Sequence, residues 1–344
     1  MPHNEKLNNI LFYSNVKAKR MFYLQGFYRT DIKILKELGY TVLLSNSLFD
    51  FLRYRKYGNS FLYFYKYSLF AAIISKIFGK KVIFTGGIDY LDKDYAGNIN
   101  YYIQKIFFIL SSAIANKIII VSDADMQNIK RFKKNLPVSK YFLSYHTIEF
   151  EKYKNIDIDK KEKILSTIVW MGNKENVLRK GIDKALKLYK NIYKFDNQYR
   201  MIIIGPIGEG TKLVKNIIQY EKLDGLIVFT GGISEKEKIE ILKKSRIYAQ
   251  LSIYEGFGIA AIEALASGNI VVHTGKGGLK YGIGNNGILV NIEDKYEDVA
   301  KKILNIISDR EKYFDIIAKG VDYISKKFTY EKRLKDFIDI FEKM

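Results

Sequence analysis

Short β-branched apolar runs alternate along this chain with longer segments whose apolar residues recur at helical spacing. Strands that alternate with helices predict parallel sheets joined by crossover helices, an α/β architecture. In the first half, Asn9–Tyr13, Tyr40–Ser45, Lys81–Thr85, Lys117–Val121 and Tyr141–Ser144 read as strands. Arg29–Leu38, Phe61–Phe78, Asn100–Ala115 and Asp123–Phe132 read as helices between them. Gly39 ends the first helix, and Ser122 is placed to cap the last, its hydroxyl accepting from the free amides of a first turn. Glu149–Lys163 is charged, lacks periodicity and reads as a linker. The alternation then resumes, with strands at Ser166–Met171, Arg200–Ile204, Leu226–Thr230, Ile247–Leu251, Ile270–Thr274 and Gly287–Val290. Helices fall at Ile182–Tyr193, Thr211–Glu221, Glu235–Lys244, Ile259–Ala266 and Tyr296–Ser308, with a last one at Tyr330–Lys343.

Ligands of open α/β sheets bind beyond the carboxyl ends of the strands. Those ends repeatedly carry glycine here: Gly86, Gly172, Gly205, Gly231, Gly256 and Gly275. Glycine lets backbone come close to a ligand, although a single one is ordinary in any strand-to-helix turn. The most informative stretch is Glu255-Gly-Phe-Gly-Ile-Ala-Ala-Ile-Glu263. Gly256, Phe257, Gly258 and Ile259 open a helix whose free amides and dipole form an anion site. Glu255 precedes that helix, placed to accept hydrogen bonds from sugar hydroxyls. Five steps from Gly258 to Glu263 turn through roughly 500°, which brings Glu263 back toward the strand-end side. A carboxylate there suits the vicinal hydroxyls of a ribose.

On these residues the sequence resembles family 4 of the glycosyltransferases, whose Glu-x7-Glu motif matches Glu255 and Glu263 within YEGFGIAAIEALASGNIVV. Asn269 stands where Pro is more usual. The likeness extends over GGISEKEKIEILKKSRIYAQLS (231–252), TGKGGLKYGIGNNGILV (274–290) and SAIANKIIIVSDADMQNIKRF (112–132), covering roughly residues 100–344. FLSYHTIEF (142–150) falls at the family's interdomain turn. The resemblance implies a GT-B fold, two Rossmann-like domains facing each other across a cleft. It places an acceptor-binding domain at 1–150 and a nucleotide-sugar-binding domain at 151–328. A C-terminal helix at 329–344 then crosses back onto the first domain. It also implies retention at the anomeric carbon.

VWMGNKENVLRKGID (169–183) resembles the family loop that carries cations to the donor diphosphate. Lys180 matches the family lysine. Asn173 follows Gly172 where the family usually has Arg, so Lys174 or Arg179 stands in. Cations there stabilise charge on the leaving diphosphate. The family often has a His at the end of an acceptor-domain strand. The corresponding FTGGIDY (84–90) has none, and Asp89 is the nearest titratable group, equally an ordinary turn residue. His146 is expected as a satisfied residue of the interdomain turn, His273 in the core, His3 disordered at the terminus, and Trp170 in the core. Asp92 and Asp94 have Asp-x-Asp spacing but sit in a polar loop, and no essential metal or other cofactor is expected.

Net charge changes the picture of the partners. The formal charge is +20, and residues 1–150 carry 22 Lys and Arg against 10 Asp and Glu. Such a field favours phosphorylated substrates, anionic lipid surfaces or nucleic acid. Phe61–Phe78 is apolar enough for a membrane interface, but Lys66 and Lys76 interrupt it, and a buried helix is the plainer reading. The absence of cysteine excludes disulfides, thiolate metal sites and a Cys nucleophile. The opening residues lack the basic-then-apolar layout of a secretory signal.

The expected activity is transfer of a hexose-like sugar from a nucleoside diphosphate to a hydroxyl of a lipid-linked or cell-surface glycan precursor. Glu255, Lys180 and Asp89 are the candidate catalytic residues. Gly172, Asn173, Arg179, Lys180, Gly205, Gly256, Phe257, Gly258, Ile259 and Glu263 are the candidate donor-binding set. The expected location is the cytoplasm, with peripheral attachment to the membrane and no nucleic-acid partner. Two alternatives stand beside this. A sugar-nucleotide epimerase shares the architecture but would need ionisable groups at the epimerised carbon, and the chain is poor in His. A non-enzymatic basic module for membrane or nucleic acid would have no use for Glu255 and Glu263.

Overall fold

The computed structural model describes residues 8–53, 57–291 and 293–343. The expectation for His3 lies outside them. The chain divides into two compact units, Met1–Thr147 with Tyr330–Met344, and Ile148–Thr329.

In the first unit, β1 (Asn9–Tyr13), α1 (Met21–Leu24), α2 (Gly26–Glu37), β2 (Thr41–Ser45), α3 (Phe49–Arg53) and β3 (Asn59–Tyr63) come first. They are followed by α4 (Ser68–Ile77), β4 (Lys81–Thr85), α5 (Lys93–Ile114), β5 (Lys117–Ile120), α6 (Asp123–Lys130) and β6 (Tyr141–Leu143). The sheet is parallel, in the order β2-β1-β3-β4-β5-β6. The helix expected over Phe61–Phe78 is corrected here. Phe61–Tyr63 belongs to β3, which is hydrogen-bonded between β1 and β4, and the helix starts only at Ser68. A strand buried on both faces reads as a continuous apolar run, and such a run has no period to separate it from a buried helix. Asp92 caps α5 by accepting from the Tyr95 amide at 3.1 Å, which gives this half of the Asp-x-Asp pair a structural task. Ser122 caps α6, accepting from the Asp125 amide at 3.0 Å.

The second unit holds β7 (Glu162–Ile168), α7 (Lys174–Arg179), α8 (Ile182–Phe195), β8 (Arg200–Ile204), α9 (Thr211–Tyr220), β9 (Ile227–Phe229) and α10 (Glu235–Lys244). It continues with β10 (Ser245–Gln250), α11 (Ile259–Ala266), β11 (Ile270–His273), α12 (Leu279–Ile283), β12 (Ile288–Leu289), α13 (Tyr296–Ser308) and α14 (Arg310–Lys327). Its sheet is also parallel, in the order β12-β11-β10-β7-β8-β9. Leu165, Met201, Ile203, Ile247 and Ala249 of this sheet pack with Leu186 and Tyr189 of α8, Val214 of α9 and Ile303 of α13. Helix α14 had no counterpart in the sequence reading. Tyr313, Ile317 and Ile324 are buried along it, and Gly320 lies so close to Leu265 of α11 that a β-carbon would come within 2.6 Å.

The last helix, α15 (Tyr330–Glu342), packs with the first unit, where Phe337 and Ile340 share a core with Ile10, Phe12 and Phe61. Arg333 fixes it there. Its Nε and one terminal nitrogen donate to the two carboxylate oxygens of Asp31 on α2, at 2.6 and 2.8 Å. The other terminal nitrogen donates to the carbonyls of Ser144 and Tyr145, at 2.6 and 2.8 Å. Both side chains are fully buried, and the Tyr63 hydroxyl donates to Asp31 at 2.5 Å.

Candidate active site

In the second sheet β7 leads outward to β8 and β9, and the chain then returns to place β10 on the other side of β7. The carboxyl ends of β7 and β10 therefore flank the point where the strand order reverses, the usual ligand crevice of an open α/β sheet. The loop after β7 brings Arg179 and Lys180; the loop after β10 brings Glu255.

Lys180 and Glu255 meet there. The Lys180 ammonium donates to Glu255 Oε1 at 2.5 Å. The same oxygen accepts from the Ser252 hydroxyl at 2.9 Å and from the Gln250 amide at 3.0 Å, and the Arg179 guanidinium lies 3.8 Å away. Glu255 is buried, so these donors replace the water an ionised carboxylate would otherwise need. The approach depends on Gly181. Its φ is +66°, and a β-carbon would stand 1.9 Å from the Leu251 carbonyl oxygen, so only glycine lets the end of α7 lie against the end of β10. Arg179 is anchored by donating to the Tyr254 carbonyl at 3.1 Å and to Asn176 at 2.8 Å.

Asn173 has a different task from the family arginine whose place it takes. It caps α7, its side chain accepting from the Asn176 amide at 2.8 Å, while Lys174 is exposed at the first turn. Gly172 lies beneath the Trp170 ring, which a β-carbon there would strike at 2.0 Å. Trp170 itself corrects the core expectation. The strand ends at Ile168, two residues before it, and the side chain is 55% exposed. At the end of β8, Gly205 approaches the Val169 carbonyl too closely for any side chain.

Gly256 and Phe257 lead into α11, for which Gly258 is the cap at φ +85° and Ile259 the first residue. The Glu255 carbonyl accepts from the Gly278 amide at 2.6 Å, which ties this entry to the loop after β11. Glu263, within α11, is buried, and its Oε1 accepts from Lys238 of α10 at 2.6 Å and from the Tyr153 hydroxyl at 2.9 Å. Burial and the adjacent Glu263 push the Tyr153 phenol well above its ordinary range, so it stays a donor. Tyr248, donating to Gln250 at 2.6 Å, is likewise raised by burial and by the nearby charges of Glu255 and Glu263. Each acid of the motif thus sits in its own buried hydrogen-bonded cluster, and Tyr248 lies close enough to feel the charge of both.

Tyr153, Lys238, Gln250 and Ser252 escaped the sequence reading. Gln250 and Ser252 stand five and three residues before a recognised acid at a strand end, a usable signal. Tyr153 and Lys238 reach Glu263 from far along the chain, and nothing local announces them. His273 is buried at the end of β11, as expected, and burial pushes its imidazole down to about 4. Its Nδ1 accepts from the Gly275 amide at 3.2 Å, the geometry of a neutral ring. Asn269 donates to the carbonyls of Leu242 and Ala264 at 2.9 and 2.8 Å, so an amide rather than a proline ring closes this turn.

In the first unit Asp89 opens a short 3-10 turn after β4 and is half-buried. Asp125 of α6 is fully buried and accepts from the Ile88 amide at 3.4 Å. Burial first and the Asp89 charge second push its carboxyl well above the usual carboxylate range. His146 is buried against Phe27, and burial with the Arg333 charge pushes its imidazole well down. Among the described residues, no group of three or more His, Asp or Glu has the placement of a metal site. No helix among them is long and apolar enough to cross a membrane.

Comparison with known proteins decides the family. The model for glycosyl transferases group 1 matches residues 151–322, half of the chain and nearly all of the second unit. The chain belongs to the group 1 glycosyltransferases. The transferase is 24% identical over 285 residues to an uncharacterized glycosyltransferase of Methanocaldococcus jannaschii, covering 77% of this chain and 78% of that protein. It is 27% identical over 172 residues to a trehalose synthase of Pyrococcus horikoshii, covering 47% of this chain and 40% of that one. Among solved structures, HepE of Anabaena in complex with UDP and glucose superposes with a TM-score of 0.76 at 15% identity, covering 98% of this chain and 100% of HepE. Sucrose-phosphate synthase from Thermosynechococcus elongatus gives 0.74 at 15% identity, covering 97% and 98%. At such identity the likeness shows the fold, and that fold is GT-B, in agreement with the two Rossmann-like domains expected from the motif.

Proposed function

We propose that this transferase moves a hexose from a nucleoside-diphosphate sugar to a hydroxyl, with retention at the anomeric carbon. The observation that carries the reading is the contact of Lys180, Arg179 and Glu255 at the switch point of the second sheet, with the buried Glu263 held separately by Lys238 and Tyr153. A donor diphosphate entering beside the amides of Phe257 to Ile259 competes with Glu255 for the Lys180 ammonium. Glu255, released from that pair, accepts from a sugar hydroxyl. Glu263 accepts from the ribose hydroxyls, with Tyr153 and Lys238 holding its carboxylate in place. Lys180 and Arg179 stabilise the charge that grows on the diphosphate as the anomeric C–O bond breaks. The acceptor oxygen bonds to the anomeric carbon on the face the diphosphate leaves, and its proton passes to a phosphate oxygen. Asp89, near the buried Asp125, is the first unit's candidate for orienting an acceptor hydroxyl. No step in this scheme calls on a metal.

Nucleotide-bound relatives support the donor class: HepE is solved with UDP and with UDP-glucose. The basic first half of the chain supports an acceptor carried at a membrane, such as a lipid-linked glycan precursor, and a peripheral position on its cytoplasmic face. The test is thermal stabilisation by UDP-, GDP-, ADP- and CMP-sugars in EDTA, with wild type and Glu263→Ala. A sugar nucleotide at one hundred times its dissociation constant stabilises by about 2.7 kcal/mol. One base stabilising the wild type and not the variant supports the reading. No stabilisation by any of them, in folded protein, refutes it.

A further inference from the structure

Helices α4 and α5 lie side by side on one face of the first sheet and send Ala71, Ala72 and Phe108 into the core. Their outward faces carry a second apolar set. On α4, Phe70, Ile73 and Ile77 are exposed, Ile77 by 74%. On α5, Ile99, Ile106 and Leu110 are exposed, Ile99 by 78% and Ile106 by 56%. Spacings of seven and four residues along α5 put its three on one stripe. A helix that is apolar on both its inner and outer face belongs between two apolar layers, and contiguous patches of this kind mark an interaction surface.

The charge on the α4 side of the patch has one sign, whereas the start of α5 carries Asp92 and Asp94 beside Lys93. Between Phe51 and Ile88 the sequence contains seven Lys or Arg and no Asp or Glu. Lys66 precedes the α4 stripe and Lys76 lies within it, next to Ile77, and the Lys66 ammonium lies 5.7 Å from the centre of the Tyr67 ring. Exposed Ile and Phe, rimmed by Lys and Tyr, match the layers of a bilayer surface: acyl chains beneath, anionic headgroups above. A second copy of the chain would set this positive rim against itself, which argues for lipid over self-association.

We propose that the outward face of α4 and α5 docks on an anionic lipid bilayer. This rests on the membrane-borne acceptor proposed above and names the surface that reaches it. The full chain is sedimented with phosphatidylcholine vesicles, with and without one-third phosphatidylglycerol. Wild type binds the anionic vesicles at least about tenfold better than the neutral ones, and added salt weakens that binding. Phe70→Glu with Ile106→Glu loses about tenfold, whereas Asn216→Glu with Tyr220→Glu, an equal charge change at two exposed positions of α9 in the second unit, binds as wild type. Should the double variant misfold by circular dichroism, the milder Lys66→Glu takes its place and must weaken anionic binding. The docking is overturned if wild type ignores anionic vesicles or binds both kinds equally. It is also overturned if the variants bind as wild type, or if the patch instead drives a dimer that the double variant abolishes. Donor-induced thermal shifts on the same samples keep the two readings apart. Vesicle binding without any donor shift removes the transfer reading alone, and a donor shift without vesicle binding removes the docking alone.

Discussion

Replacing Arg333 by Met removes the cation facing Asp31 at a place where neither side chain reaches solvent. Asp31 keeps the Tyr63 hydroxyl and loses two charge-assisted bonds of 2.6 and 2.8 Å. The carbonyls of Ser144 and Tyr145 lose their donor as well. Removing one partner of a buried ion pair costs about 3–5 kcal/mol, because the charge left behind is uncompensated. With one bond to Asp31 surviving, the expected cost is about 4 kcal/mol. For a unit of this size each kcal/mol lowers the melting temperature by about 2–4 °C. Calorimetry should therefore show the first unit's transition falling by about 8–16 °C. Trp170 is the only tryptophan and lies in the second unit, so its fluorescence follows that unit separately. Adding Asp31→Leu removes the stranded charge and should recover at least about 1 kcal/mol. A shift below about 2 °C for Arg333→Met, or a double variant less stable than the single, refutes the assignment of α15's anchoring to this pair.

Three further outcomes are expected. Gly181→Ala puts a β-carbon 1.9 Å from the Leu251 carbonyl oxygen and forces Lys180 away from Glu255. Donor-induced thermal stabilisation should disappear, with a stability loss of about 1–3 kcal/mol by urea titration; an unchanged donor shift would show that the Lys180–Glu255 contact is dispensable. Lys161 is buried and donates to the carbonyls of Lys243, Ser245 and Ser267 at 3.0, 2.7 and 2.9 Å. Lys161→Met should cost about 3 kcal/mol, about one for each stranded carbonyl, read from Trp170 fluorescence in urea. His273, pushed down to about 4 from the ordinary 6.5, gives a pH dependence of known sign. Below pH 6.5 the unfolded chain binds a proton there that the folded chain refuses, so stability falls as pH drops toward 4, by up to about 1.4 kcal/mol per pH unit. His273→Asn should flatten that slope between pH 6.5 and 4, and an unchanged slope would assign it to other groups.

How much of this was visible without coordinates depends on the range over which each feature is decided. Capped, amphipathic helices such as Glu235–Lys244 were readable to the residue, because the Ser234–Glu237 capping box and the apolar period are both local. So was the Glu255–Glu263 spacing, since a strand end, a Gly-x-Gly turn and a helix lie within one short segment. The β3–α4 boundary was not readable. FLYFY is apolar whether it lies in a strand between two others or along a buried helix, and only pairing with β1 and β4 decides. Trp170 was misplaced for a related reason: where a strand stops depends on its neighbour's length, and β7 ends before it. The partners of the two acids divide along the same line. Gln250 and Ser252 lie on the approach to Glu255, whereas Tyr153 and Lys238 meet Glu263 through packing of distant segments. Arg333 and Asp31 stand at opposite ends of the sequence, each an ordinary charged residue on an amphipathic helix. The sequence by itself determined the alternation of elements, the family motif and the excess of positive charge, because these are set by neighbours in the chain. Tertiary structure alone decided which charges are buried together, since burial removes water and leaves each ionised group to be satisfied by residues that only folding brings near.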